Sequence, residues 1–183
     1  MRATRDSYLI IDGYNIINAW DELKEISKVD LDSAREKLIH YIIEYAQYTG
    51  KKAIIVFDAY NVKNSKESIE NRKYITIVYT KEHQTADSYI EKFISSLSKY
   101  DDIQVATSDY AEQQIILGKG ASRISARELK LYVDSTMVKI KSEQEKRQQK
   151  IQRNFLEDRL DKDILSKLEN IRRKRWKHLV SSL

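Results

Sequence analysis

The sequence predicts an α/β fold in which helices cover a central, mainly parallel sheet and a basic helical extension follows. Three observations support this prediction. Short, continuous apolar runs alternate along the chain with longer segments whose apolar residues recur at helical spacing. Most of the apolar runs end in an aspartate, and the segments between them are long enough for crossover helices. Basic residues are concentrated in the last quarter of the chain.

Four segments are predicted to be strands: YLIID (8–12), KKAIIVFDA (51–59), ITIVYT (75–80) and IQVATSD (103–109). Continuous apolar character is typical of strands buried on both faces of a parallel sheet. Asp12-Gly13, between two apolar runs, is also a hairpin signal. No alternating return strand follows it, and polar, partly helical sequence continues to Gly50. We therefore interpret it as a βα crossover, with Gly13 relieving a tight exit from the strand.

Helices are predicted from apolar spacing and from capping residues. Ser33 and Glu36 form a candidate capping box, Gly50 ends that helix, and Thr85 is a candidate N-cap. A glycine-containing turn from Gly118 to Ser125 leads to a second capping box, and the polar segment 61–73 is predicted to be an exposed loop. A break is expected near Asn154. The predicted helices cover residues 33–49, 85–100, 109–118, 125 to about 152, and about 157–180.

The composition limits the class of protein. The 183 residues include no cysteine, which excludes disulfides, thiolate zinc sites and cysteine nucleophiles. The apolar run at the start is too short for a signal peptide, and no run approaches the roughly 18 residues of a membrane span. We expect a cytoplasmic protein without membrane contact, with one domain over residues 1–137 and an α-helical extension over 138–183.

The charge of the chain is unevenly distributed. Residues 139–183 hold 14 Lys and Arg against 7 Asp and Glu, whereas residues 1–138 hold 19 against 21. A basic segment joined to a slightly acidic domain favours a polyanionic partner. A solvated helix pair with internal salt bridges explains the same composition, so charge alone leaves both interpretations open.

Four aspartates are expected at one edge of the sheet. Asp12, Asp58 and Asp109 end predicted strands, and Asp87 lies in the first turn of the helix after ITIVYT. Parallel strands present their carboxyl ends along one edge, where ligands bind in open α/β sheets. Clustered carboxylates repel one another unless a cation or shared protons neutralise them. Oxygen-only ligands favour Mg²⁺ or Mn²⁺, so the pattern predicts a metal site.

Each acid has another explanation when taken alone. Asp109 fits an N-cap with Glu112, Asp87 complements a helix N-terminus, and Asp58 fits a turn with the asparagine at 61. Their coincidence at one edge favours the metal site. Asn15, Ser108 and Glu91 are candidate supporting residues, and the candidate phosphate contacts are Arg72, Lys81 and Arg123. Tyr14 and Tyr60 are candidates for base stacking or for ordinary packing, and His83 is expected at the surface.

Five motifs occur in a familiar order: IIDGYNII, VFDAY, YTKEHQTADSYIE, VATSDYAEQ and GKGASRISAREL. Through them, from about Tyr8 to Val133, the chain resembles the YacP-like NYN nucleases, a branch of the PIN-like superfamily. The resemblance implies a PIN-like (Rossmann-like), three-layer α/β/α fold and a metal-dependent ribonuclease site at Asp12, Asp58, Asp87 and Asp109. It also implies association with the ribosome and cleavage of mRNA there. We expect one or two Mg²⁺ or Mn²⁺ ions and a monomer.

Other functions compete with this expectation. A haloacid dehalogenase-type phosphatase needs a second aspartate two residues after the first, where this chain has Tyr14. A nuclease of the same fold acting on DNA or on other RNA is not separated from an mRNA nuclease by these motifs. A non-catalytic RNA- or ribosome-binding module would use the basic helices and leave the four acids without a catalytic role.

Overall fold

The structure is a computed structural model that describes residues 5–58, 67–81, 84–107 and 120–159, and five residues between 164 and 170. The chain divides into two compact units, Met1–Val138 and Lys139–Leu183. One six-stranded sheet has the strand order β3-β4-β2-β1-β5-β6. The strands are β1 Ser7–Asp12, β2 Lys52–Phe57, β3 Ser68–Arg72, β4 Ile75–Tyr79, β5 Asp102–Ala106 and β6 Ser122–Ile124.

The sheet is parallel except at β3. β1 pairs in parallel with β2 and β5, β2 with β4, and β5 with β6, whereas β3 runs antiparallel to β4. In register, Asp12 lies opposite Val56, and Ile11 lies opposite Ala106. The predicted mainly parallel sheet is therefore confirmed, and the βα crossover after Asp12 replaces the hairpin.

Helices cover both faces of the sheet. The helices are α1 Gly13–Ala19, α2 Asp21–Ser27, α3 Leu31–Thr49, α4 Ala86–Ser96 and α5 Ala126–Arg159. One buried cluster joins Leu9 and Ile11 to apolar residues of α1, α2, α3 and the start of α5. The other joins Ile10 to α4 through Ile90 and Ile94. Because successive side chains of β1 point to opposite faces, this one strand contributes to both clusters, and the result is three layers.

Three predicted helix boundaries are confirmed. Gly50 ends α3 with a φ of 73°, in the left-handed region that favours glycine. The Thr85 hydroxyl caps α4 by accepting a hydrogen bond from the Ser88 amide at 3.2 Å. Ser125 and Glu128 form the capping box of α5: the Ser125 amide donates to the Glu128 carboxylate at 2.8 Å, and the Glu128 amide donates to the Ser125 hydroxyl at 3.2 Å.

The predicted capping box at Ser33 and Glu36 is wrong. Helix α3 begins at Leu31, and Asp30 is its N-cap, accepting a hydrogen bond from the Asp32 amide at 3.0 Å. The Ser33 hydroxyl donates to Asp30 instead of capping a helix itself. Glu36 binds Arg72 at 2.9 and 3.0 Å. An acceptor three residues earlier therefore starts the helix one turn before the predicted cap.

Four further predictions need correction. Strand β3 lies within the predicted loop 61–73, and β6 lies within the predicted turn 118–125. Both are short, polar edge strands that pair through backbone groups, so their side chains carry no strand pattern. Helix α5 continues through Asn154 to Arg159 without the expected break. Strand β5 ends at Ala106, earlier than predicted, and the predicted helix 109–118 lies outside the described residues.

No helix among the described residues is both long and apolar enough to cross a membrane.

Packing requires the glycine at position 13, whereas the predicted role of Gly13 was to relieve a tight exit from the strand. It is the first residue of α1 and is buried, and the positive φ angles among the described glycines are at Gly50 and Gly120. A Cβ at position 13 would lie 2.3 Å from the nearest carbon of the Phe57 ring. The small side chain therefore lets α1 approach the end of β2.

Gly13→Ala should lower the free energy of unfolding by about 1–3 kcal/mol, because the added methyl group overpacks the core against Phe57. Urea unfolding followed by circular dichroism measures this loss. Phe57→Leu serves as the second arm of a double-mutant cycle, since a flexible side chain makes room for the methyl group. Strictly additive losses in the double variant would show that the contact with Phe57 is not the cause.

Candidate active site

Three of the predicted acids lie at the carboxyl edge of the sheet. Asp12 is the last residue of β1, Asp58 directly follows β2, and Asp87 lies in the first turn of α4. Asp12 and Asp58 are half-buried, whereas Asp87 is exposed. The parallel pairing of β1, β2 and β4 brings these residues to one edge from separate parts of the chain.

The surroundings of Asp12 shift the pKa of its carboxyl group. Burial is the largest cause that raises the pKa of its carboxyl group, and the negative charges of Asp87 and Asp58 raise it as well. Hydrogen bonds from the Asn15 and Tyr14 amides lower it, and the net result is a pKa of about 6. The Asn15 amide lies 3.1 Å from Oδ1, so Asp12 is also the N-cap of α1. The structure thus places the three carboxylates close enough for Asp12 to experience the charges of the other two.

Thr80 contacts Asp58. The Thr80 hydroxyl donates a long hydrogen bond of 3.4 Å to Asp58 Oδ1, and its amide donates to the Phe57 carbonyl at 3.0 Å. Thr80 is fully buried, one residue beyond β4. Sequence reasoning missed this residue, although its position at the end of ITIVYT is the signal that could have found it.

The fourth acid lies outside the described residues. Asp109 and the candidate supporting residue Ser108 follow Thr107, which is fully buried and donates its amide hydrogen to the Ile124 carbonyl at 3.3 Å. Tyr60 and His83 lie outside the described ranges as well. Within those ranges, no group of three or more His, Asp or Glu side chains is arranged to hold a metal ion.

The supporting residues on the helices lie beside the acids. Asn15 is in the first turn of α1, where its backbone amide contacts Asp12. Glu91 is exposed in α4, one turn after Asp87 and on the same side of the helix. Their roles as ligands or orienting groups stay predictions.

The three candidate phosphate contacts lie in different places. Lys81 is exposed and directly follows Thr80, so it is at the acidic edge. Arg123 is exposed in the middle of β6, opposite Val105. Arg72 lies opposite Ile75, the first residue of β4, and therefore at the other end of the sheet. Its guanidinium binds Glu36 and also Glu70, the latter at 2.7 Å, so its charge is compensated.

An arginine and three aromatic rings form a group that sequence reasoning missed, and one of these rings belongs to Tyr14, two residues after Asp12. Arg35 Nε donates to the Tyr14 hydroxyl at 3.0 Å, and its guanidinium carbon lies 5.3 Å from the Tyr14 ring centre. Tyr14 packs edge-on against Phe57 at 5.3 Å, and Phe57 stacks on Tyr79 at 5.5 Å. Tyr14 thus has a packing role, and base stacking by it stays a prediction. Only tertiary structure unites these residues, so no local signal predicts the cluster.

Comparisons with known proteins agree with this arrangement. Residues 9–173 match the YacP-like NYN domain family. The chain is 46% identical over 122 residues to the uncharacterized protein YacP of Bacillus subtilis strain 168, covering 66% of this chain and 71% of that one. Crystal structures of Rae1 (YacP) from Bacillus subtilis are similar too. One matches with a TM-score of 0.67 at 38% identity, covering 91% of this chain and 94% of that one. Another, of a variant of Rae1 with one tryptophan replaced by leucine, matches with a TM-score of 0.63 at 40% identity, covering 74% and 79%.

Proposed function

Because the chain belongs to the YacP-like NYN domain family, which is of the nuclease type, we propose that it is a metal-dependent endoribonuclease. It associates with the ribosome and cleaves mRNA during translation, in the cytoplasm and as a monomer. The observation that carries the proposal is the convergence of Asp12, Asp58 and Asp87 at the carboxyl edge, where burial and the two neighbouring charges raise the pKa of Asp12.

The acids suit a hard divalent cation. Their donors are carboxylate oxygens, and Asp12 has a raised pKa because it is buried and lies near two further negative charges. Mg²⁺ usually keeps several waters and binds proteins through only one or two carboxylates, so a closed set of three protein ligands is not required. Asp12 and Asp87 would hold the ion, with Asp58 and Asp109 as further ligands directly or through water. A bound Mg²⁺ or Mn²⁺ lowers the pKa of water and stabilises charge on a phosphate.

Residues around the acids would orient the carboxylates and bind the substrate. The raised pKa of Asp12 belongs to the metal-free site, and a cation bound to its carboxylate would favour the ionised form. The Thr80 hydroxyl orients Asp58. Lys81, exposed beside the acids, would bind the phosphate backbone of RNA. Substrate would therefore meet a cation beside the acidic edge.

The basic segment supports the ribosomal partner. Residues 139–183 carry the excess of 14 Lys and Arg over 7 Asp and Glu, on a chain whose remaining residues are slightly acidic. Ribosomal RNA is a dense polyanion, and contacts to its phosphates release counterions and strengthen binding at low salt. Affinity for the ribosome would then come mainly from this segment, and cleavage from the acidic edge.

Cleavage in a reconstituted translation system tests the proposal. The purified protein should cut a translated mRNA and leave the same mRNA with its start codon removed largely intact, while sedimenting with ribosomes in both reactions. A parallel assay compares RNA and DNA oligonucleotides of one sequence. Sedimentation without any cut would favour the non-catalytic module, and equal cutting of DNA would contradict specificity for mRNA.

A further inference from the structure

A cavity lies at the amino-terminal edge of the sheet, opposite the edge that holds the acids. It has a volume of about 520 Å³ and is lined by the first residues of β1, β2 and β4, the end of α3 and Phe93 of α4. This volume is in the range of roughly 300–1,000 Å³ that is typical of small-molecule sites. Asp12 and Tyr8, at the two ends of β1, are four residues apart, which is about 13 Å along a strand. The cavity is therefore separate from the acidic edge.

Four cations line this cavity, and two of them have no acidic partner among the described residues. Lys52 binds Asp6 at 2.7 Å, and Arg72 is held by its two glutamates. In contrast, Lys51 donates a hydrogen bond to the neutral side-chain amide oxygen of Gln104, and Lys73 lies over the Tyr74 ring at 5.1 Å. The cavity thus keeps two positive charges that neighbouring carboxylates do not compensate.

Aromatic side chains also line the cavity, and two of the cations lie over aromatic rings, Lys52 over Tyr8 and Lys73 over Tyr74. Tyr8, Tyr74 and Phe93 line the cavity, and each is half-buried. The rings of Tyr8 and Phe93 pack edge to face with their centres 6.4 Å apart, so this contact fixes their orientation. Ammonium groups beside partly exposed aromatic rings are the combination that binds a phosphate and a stacked base together.

We propose that this cavity binds a nucleotide, with Lys51 and Lys73 on its phosphate and a base against Tyr74. The nucleotide is either a free nucleoside monophosphate or one unit of a single-stranded RNA that passes the amino-terminal edge. Both have the same phosphate and base chemistry. The proposal does not rest on the nuclease activity, because it uses none of the acidic residues.

The test uses the full-length chain with Asp12→Asn, without divalent ions, so that no cleavage occurs. Two probes are titrated separately: a nucleoside monophosphate (AMP or UMP) by calorimetry, and a labelled single-stranded RNA of roughly 12 nucleotides by fluorescence anisotropy. The variant Lys51→Glu with Lys73→Glu is compared with a control, the α2 variant Lys24→Glu with Lys28→Glu. The control changes the charge equally, on exposed lysines of α2 and of its C-cap.

If free nucleotides are the ligand, the cavity variant should bind AMP or UMP at least about tenfold more weakly than the α2 variant. If RNA is the ligand, monophosphates should not saturate the protein, whereas affinity for RNA should fall at least about tenfold. The slope of log affinity against log salt concentration should decrease by about 0.7, the value for one phosphate. Tyr74→Leu should weaken binding of the same probe and Tyr74→Phe should not. This pair of variants separates the contribution of stacking from that of charge. Affinities for both probes within about twofold of the α2 variant would overturn the proposal.

Should the cavity variant fail to fold, as judged by its thermal unfolding, Lys51→Gln with Lys73→Gln replaces it and Lys24→Gln with Lys28→Gln replaces the control. The two glutamines keep hydrogen-bonding groups and remove only the charges. The same thresholds then apply, so binding equal to that of the control again overturns the proposal.

Discussion

Asp12→Asn should lower the rate of RNA cleavage by at least about 1,000-fold, or roughly 4 kcal/mol in the activation barrier. Asparagine has almost the shape of aspartate, but its amide carries no charge to hold a cation and accepts no proton from water. It still caps helices well, so the amide of Asn15 keeps an acceptor and α1 should remain in place. Single-turnover cleavage of mRNA on translating ribosomes measures the rate.

Asp87→Asn should produce a loss of similar size, because Asp87 lies at the same edge and contributes to the field at Asp12. The matched control is Asp134→Asn. Asp134 is an exposed aspartate of α5 paired with Lys130 at 2.6 Å, and its loss should change the rate less than about twofold. Cleavage at the normal rate by both Asp12→Asn and Asp87→Asn would contradict the assignment of the acidic edge as the active site.

The Asp12→Asn substitution should also make the metal-free protein more stable near neutral pH. Folding raises the pKa of Asp12 from 3.8 to about 6, so the folded state binds the proton more tightly than the unfolded state does. The stability contributed by the protonated group is fully present below pH 3.8 and is lost as the pH rises through about 6. Asparagine does not ionise, so Asp12→Asn should raise the free energy of unfolding by about 3 kcal/mol at about pH 7.5.

The pH dependence distinguishes this effect from a change in packing. The difference in unfolding free energy between Asp12→Asn and wild type should be near zero at about pH 3.5 and should grow between about pH 4 and pH 7. Urea titrations in EDTA at several pH values measure it, with Asp134→Asn as the control that shows no such growth. Added Mg²⁺ should stabilise wild type more than Asp12→Asn. A constant difference across the pH range would contradict the raised pKa.

The parts of the site that the sequence predicted are those with a local signal. Asp12 and Asp58 follow continuous apolar runs, and such runs form strands because both faces of a central strand are buried. Thr85 is a recognisable N-cap, so it predicts the start of α4 and the position of Asp87 in the first turn of that helix. Because parallel strands have their carboxyl ends at one edge of the sheet, a parallel sheet alone brings these residues together.

The parts that the sequence did not predict depend on contacts between distant segments. Arg35 meets Tyr14 across 21 residues, and Glu36 was assigned to a cap although it binds Arg72, 36 residues away. The edge strands β3 and β6 have polar sequences because they pair on one side only, and this composition resembles that of a loop. The N-cap of α3 was missed because Asp30 and Ser33 compete for the same role, and propensity alone does not rank them.

The most direct measurement of the central claim is the mapping of mRNA 5′ ends in cells that produce either the wild-type protein or Asp12→Asn at equal levels. We expect a set of new ends within translated regions in the presence of wild type. These ends should be absent with Asp12→Asn, although both proteins should sediment with ribosomes. The same ends at the same abundance with both proteins would contradict the claim that the carboxylates at the edge of the sheet cleave RNA.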